Sequence, residues 1–172
     1  MSIGTIVGTF VVLGLMLVSV SARNPHPDAS SFKDTNEMMV YLASEACKWV
    51  KQDKGVDLDY SVDSIKLIEG ELARISKDVD KANPRRGTFG SATGYGAYVG
   101  EVLKRKHGGD WARDHSVGGA NSYPLTLTNK TTVFPVVWCW KRLTVGEEDN
   151  VYNKSLAFLA SQQVATNSLP TK

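Results

Sequence analysis

The sequence predicts an α+β domain in which helices dominate, with a small antiparallel hairpin or sheet, preceded by one apolar N-terminal helix. Three observations carry this reading. Apolar residues recur at spacings of three and four along several stretches, the period of one helix face. Residues 111–128 instead hold short strand-like pieces around a glycine pair. Residues 3–22, IGTIVGTFVVLGLMLVSVSA, carry no charge at all.

As a helix at 1.5 Å per residue, that uncharged run reaches about 30 Å, the hydrocarbon thickness of a bilayer. A helix apolar on every face is not a surface helix of a soluble domain. Two readings stay open. A signal peptide would be cleaved after Ala22, behind Val20-Ser21-Ala22, and a signal anchor would be retained. The lack of Lys or Arg before Ile3 weakens the first reading and leaves little charge to set orientation. The membrane, through residues 3–22, is thus an expected partner. The rest is expected to be an extracytoplasmic domain, membrane-anchored or else periplasmic or secreted. Residues 23–33 follow as a linker, its prolines ending the apolar helix.

A helix is expected over residues 34–53, where Met39, Leu42, Ala43, Ala46, Trp49 and Val50 share a face and Gly55 stops the run. A second is expected over residues 62–77, capped by Ser61, with Val62, Ile65, Ile68, Leu72 and Ile75 as its stripe. NPRRG, residues 83–87, reads as a turn. A third helix covers residues 90–107 and is closed by Gly108-Gly109. The hairpin pairs residues 111–115 with 123–128 around Gly118-Gly119.

Residues 132–146, TVFPVVWCWKRLTVG, are ambiguous. Their β-branched and aromatic residues suit a strand. Pro135 in a first turn, the shared face of Val136, Trp140 and Leu143, and Gly146 as a stop favour a helix. A last helix is expected over residues 150–163, carrying Val151, Leu156, Phe158 and Leu159. The globular domain is therefore set at 34–165, with a loose polar tail at 166–172.

The chain's 172 residues suffice for one domain with a core. Hydrophobic residues at 42% and charged residues at 22% make it globular rather than disordered. A net charge of +2 lacks the clustered basic face of a nucleic-acid binder, so no nucleic-acid partner is expected. The densest basic cluster, Lys104-Arg105-Lys106-His107, ends a helix, where cations meet the negative end of the macrodipole. Cys47 and Cys139 either pair in an oxidising compartment or remain two buried thiols.

GSATGYGAYVGEVLKRKHGGDW, residues 90–111, is the most distinctive run. A dinucleotide fingerprint needs Gly-x-Gly-x-x-Gly between a strand and a helix. Gly94 and Gly96 fit, but Val99 takes the third position, Gly100 comes one residue late, and no apolar strand precedes. No Walker loop is present, so no nucleotide and no cofactor are expected. As a helix, the run places Ala92, Gly96 and Gly100 along one edge. Glycine costs about 1 kcal/mol against alanine in a helix, a cost that close packing or a nearby ligand must offset, packing being the commoner cause.

Glu101 stands four residues before Arg105 and is expected to pair with it. The alternative is a buried acid facing a pocket. Glu147, Glu148 and Asp149 form an acidic run where a helix begins, as the macrodipole favours. His107, His115 and Cys139 match no zinc spacing, so no metal is expected. No Gly-x-Ser-x-Gly elbow occurs. NKT at Asn129 and NKS at Asn153 match the glycosylation acceptor pattern. Trp138 and Trp140, if helical, point about 200° apart, so one would leave the core for a partner or a membrane surface.

Residues 94–111 and 133–152 together resemble a bacterial domain family of unknown function. Its members carry a Gly-Ala-Tyr-x-Gly-Glu-hydrophobic helix, then Gly-Gly-x-Trp, Phe-Pro, and Lys-Arg-hydrophobic leading to Gly-Glu-Glu-Asp. LDYSVDSIKLIEGEL, residues 58–72, is similar to the family's second helix. The resemblance covers roughly residues 58–159 and departs from the family at Trp138-Cys139-Trp140. It implies a bacterial source and a helix after Pro135, and it supplies no reaction.

The function expected from all this is a non-catalytic protein-interaction module, anchored or exported. It would bind an unknown protein partner through a surface around Glu101, Trp111 and the acids Glu147, Glu148 and Asp149. One alternative is an extracytoplasmic hydrolase with Glu101 and His107 as acid and base. That chemistry needs both within about 3 Å of a common substrate position. A second alternative, by analogy only, is an envelope immunity protein.

Overall fold

The computed structural model describes residues 28–80, 82–84 and 87–167. The apolar run at 3–22, the linker up to residue 27 and the tail from 168 lie outside the described residues. Within them the chain is the expected helix-dominated α+β domain, with five α-helices and a three-stranded antiparallel sheet.

Helix α1, Thr35–Lys54, begins where Asp34 accepts the Glu37 N–H at 2.9 Å. The Glu37 carboxylate accepts the Lys33 N–H at 2.6 Å, so the two acids cap the entry together. Gly55 ends the helix at φ 71° in the left-handed region. Helix α2, Ile65–Ile75, starts three residues later than the stripe implies. Ser61 does cap, its hydroxyl accepting the Ser64 N–H at 3.1 Å. The turn it opens is wound tighter than an α-helix: Ile65 and Lys66 donate to the carbonyls of Val62 and Asp63, three residues back.

Helix α3, Thr88–His107, is the axis of the domain, buried throughout residues 91–103. Its glycines admit neighbours on two sides. Gly94 faces the Trp49 ring of α1; Gly96 and Gly100 face the segment that begins at Pro135. The small-residue edge is thus a packing edge. Gly108, at φ 67°, then turns the chain back along the helix it has just left.

The sheet orders β1, Asp110–Trp111, β2, Leu125–Thr126, and β3, Thr132–Val133, with Trp111 opposite Leu125 and Leu125 opposite Val133. The hairpin exists, but its strands are far shorter than the composition implies. Asn121 at φ 55° and Tyr123 at φ 44° cannot continue an extended strand, so the chain between β1 and β2 is mostly loop. The ambiguous segment resolves into both readings in turn. Thr132–Val133 pairs as strand, and Pro135, which has no N–H to give a ladder, starts helix α4, Pro135–Thr144. A 3-10 turn, Glu147–Asp149, leads to α5, Val151–Asn167, which runs past the expected boundary at 165.

Helices α2, α4 and α5 meet at one carboxylate. Glu69 accepts from Arg142 Nε at 2.5 Å with one oxygen and from the Val151 N–H at 2.8 Å with the other. Both Cys47 and Cys139 are free thiols; Cys139 packs in the core on α4.

Candidate functional site

Glu101 is buried on α3, and its partner is not the expected one. Its Oε1 accepts the Trp111 indole N–H at 2.8 Å. Arg105 instead lays its guanidinium 3.4 Å over the Tyr60 ring, which stacks on Tyr98 with centroids 4.7 Å apart. An aromatic face competes well for arginine because it takes the flat cation without a second charge to desolvate. The expected Glu101–Arg105 pair is therefore replaced by two contacts that are remote in sequence. Gly108 and Gly109 make this possible: they fold Trp111 against α3, where only the missing side chain of Gly100 leaves room for the ring.

Trp111→Phe keeps most of the ring and removes the N–H. The buried carboxylate then loses a donor, at an expected cost of about 1–3 kcal/mol. A urea titration showing an unchanged midpoint would mean that Glu101 reaches water instead.

His107 is six residues beyond Glu101 and turns elsewhere. It lines a hollow of about 370 Å³ with Thr128, Asn129, Gln162 and Gln163. Its ring stands edge-on to Phe158 at 6.4 Å, and its Nε2 is buried without a hydrogen-bond partner. Glu101 does not line that hollow, so the acid and base of the hydrolase reading are not brought to a common position. Burial pushes the His107 imidazole below its usual range, and the Lys106 charge pushes the same way. The unfolded chain thus binds the proton more readily than the folded one. The stabilisation is complete above the free-histidine value near 6.5 and is lost as pH falls from there toward the folded value. His107→Leu should therefore lose less stability than the parent between pH 7 and pH 5, read from paired thermal melts. Equal losses would place the imidazole in water.

The acids at the end of α4 do not join Glu101 either. Glu147 and Glu148 are exposed, and Asp149 pairs with Lys154. Trp111 sits with Pro135 beside Gly100, at the start of α4. The acidic turn follows the other end of that helix, whose ten residues span about 15 Å. Of the residues expected to form one surface, Glu101 and Trp111 are buried against each other, and Glu147 and Glu148 are exposed at the opposite end of α4.

A second cluster joins α1, the segment leading into α2, and α3. Tyr98 Oη accepts the Tyr60 N–H at 2.9 Å and shares a 2.6 Å hydrogen bond with the Ser64 hydroxyl. The Cys47 thiol lies 3.7 Å from Tyr60 Oη, and burial pushes it up, away from the thiolate a nucleophile needs.

The open feature is a cleft of about 410 Å³ that the sequence did not announce. It lies between Phe89 at the start of α3, the loop residues Gly118 and Ala120 to Ser122, and Val136, Val137 and Trp140 of α4. Phe89 is 49% exposed, unusual for so large an apolar ring. The one sequence signal was the Trp-Cys-Trp triplet. Trp138 packs toward Phe158 with centroids 6.3 Å apart, Cys139 faces the core, and Trp140 turns into the cleft.

Among the described residues no group of His, Cys, Asp and Glu could hold a metal ion, and no helix is long and apolar enough to cross a membrane. Compared with protein families, curated proteins and solved structures, the chain matches none.

Proposed function

We propose that this chain is a membrane-tethered, non-catalytic interaction module of a bacterial envelope, and that its contact surface is the cleft of Phe89, Val137 and Trp140. The fate of the acids carries this reading. Glu101 is sealed under Trp111, and Glu69 is held by Arg142. Glu71, fully buried, is ion-paired to Arg74 at 2.6 Å and Lys54 at 3.1 Å. Acid–base catalysis needs a titratable group within hydrogen-bond reach of substrate. The cleft lining carries no ionisable side chain, and its Ser122 hydroxyl donates to the Gly119 carbonyl at 2.9 Å. An aromatic, uncharged, concave surface suits binding.

The tether is residues 3–22, kept as a signal anchor. Membership of the bacterial family is part of the same proposal. Its support is that the two motif blocks pack on one another, Gly96 against Val136 and Gly100 against Pro135.

The test uses the full chain in membranes of the expressing cell. Its mass should begin at Met1 or Ser2. A photo-reactive benzoylphenylalanine at Val137 should give an adduct, with a protein or with a phospholipid, that Phe89→Ser abolishes. A mass beginning at Arg23 overturns the tether. Turnover of an ester, peptide or glycoside that is lost in Glu101→Gln overturns the non-catalytic reading.

A further inference from the structure

We infer that the surface on which the cleft closes is the lipid bilayer itself: Phe89, Val117 and Trp140 rest in the interface of the membrane that holds residues 3–22. The inference rests on the tethered reading above and names the partner of that site.

The path of the chain carries it. The described residues begin beside the 3-10 turn Ala29–Ser31. Ala29 and Phe32 share a hollow with Arg113 and Tyr123, the two residues at the base of the loop between β1 and β2. Across that base, Tyr123 donates its N–H to the Arg113 carbonyl at 3.0 Å, and Arg113 Nε donates to Asn121 Oδ1 at 2.9 Å. Asn121 lines the cleft. The chain's entry and the cleft are therefore two sides of one loop. Five residues, 23–27, separate Ala22 from Asp28, and the six steps between those two reach at most about 20–22 Å when extended. A retained span thus keeps this loop near the bilayer, at the millimolar effective concentrations, in round terms, that short linkers give. At that concentration a weak contact is populated.

The loop is built to enter an interface. Val117, at its tip, is 85% exposed. That exposure comes from an ordered turn: His115 and Gly119 exchange N–H to carbonyl bonds at 3.2 and 2.7 Å. The Val117 N–H donates to His115 Nδ1 at 3.1 Å, and the His115 ring stands edge-on to Phe134 at 5.1 Å. The N–H groups of His115, Val117 and Gly119 are thus satisfied within the turn, which lowers the cost of moving it out of water into the headgroup region. Phe89, Val117 and Trp140 carry no charge, the exposed Arg113 and Asp114 stand at the base of the loop rather than at its tip, and Trp140 is the residue type that settles at the headgroup level. The exposed acids Glu147 and Glu148 follow the C-terminal end of α4, and neither lines the cleft.

The experiment reconstitutes the full chain in phosphatidylcholine nanodiscs, in a C47S background, with one nitroxide label at V117C, V12C or E148C. Accessibility to oxygen is compared with accessibility to a water-soluble nickel chelate. The V117C label should favour oxygen several-fold over the E148C label, and F89S/W140S should return it to the E148C pattern. A V12C label exposed to nickel means that the tethered reading has failed. A V12C label in lipid with V117C as nickel-accessible as E148C overturns the bilayer contact alone. A V117C label shielded from both reagents identifies a protein contact and overturns it equally.

Discussion

Arg142→Ala is expected to destabilise the domain by about 3–5 kcal/mol, the cost of leaving a buried charge without its partner. Arg142 and Glu69 have side-chain exposures of 7% and 12% across a 2.5 Å contact, so water does not replace a lost guanidinium. The second Glu69 oxygen accepts the Val151 N–H, one of the donors that a helix start leaves unpaired. One carboxylate thus serves an ion pair and a helix cap, and Arg142→Ala disturbs α2, α4 and α5 together. Glu69→Gln combined with Arg142→Met should recover most of the loss. The amide still accepts from Val151, and the charge that needed compensation is gone. Urea midpoints for the single and double variants read both claims. A loss below about 1 kcal/mol for Arg142→Ala is the range of exposed pairs, and it would falsify the burial of this one. The Arg74–Glu71 pair should be more forgiving, because Arg74 is half exposed and Lys54 also holds Glu71.

These contacts mark where the sequence stops being legible. Local rules located α1, because Asp34 and Gly55 act on neighbours within four residues. They located α4, because the ring of Pro135 decides its own backbone. They read the glycines of α3 as a packing edge, because a repeat of four fixes a face whatever meets it. What they missed involves a partner distant in sequence. Glu101 had a good local partner in Arg105; the fold offered Trp111 to one and Tyr60 to the other. Glu69 and Glu71 flank the stripe of Ile65, Ile68 and Leu72 and look like a solvated rim. Their burial depends on α4, α5 and the end of α1 closing over them. The cleft is assembled from three segments more than ten residues apart, and no spacing rule registers such a wall. The loop between β1 and β2 misled for another reason. Its residues have strand composition, but Asn121 and Tyr123 take left-handed backbone that composition does not reveal.

The second large effect separates position from residue type. Gly96→Ala is expected to destabilise by about 2 kcal/mol, the net of an overpacking cost near 3 and a helix-propensity gain near 1. A Cβ on Gly96 would stand 2.5 Å from Val136 Cα and 2.8 Å from Val136 N. Those are backbone atoms of α4 and cannot rotate aside, so the two helices must separate. Gly94→Ala should cost less, because the atoms it meets belong to the half-buried Trp49 ring, which can turn. Gly100→Ala lies between: the Trp111 ring that its Cβ would meet can move, but only by surrendering its bond to Glu101. Gly70→Ala, on the exposed face of α2 with nothing within 4 Å, should instead stabilise by about 0.4–1 kcal/mol. The same chemical change therefore has opposite signs at two helical positions, and urea midpoints measured side by side decide it. If Gly96→Ala stabilises as Gly70→Ala does, α4 does not approach α3 that closely, and the glycine edge regains space for a ligand. If the signs differ as expected, the edge is filled by the backbone at Val136, and any binding by this domain must use a surface that the glycines do not line.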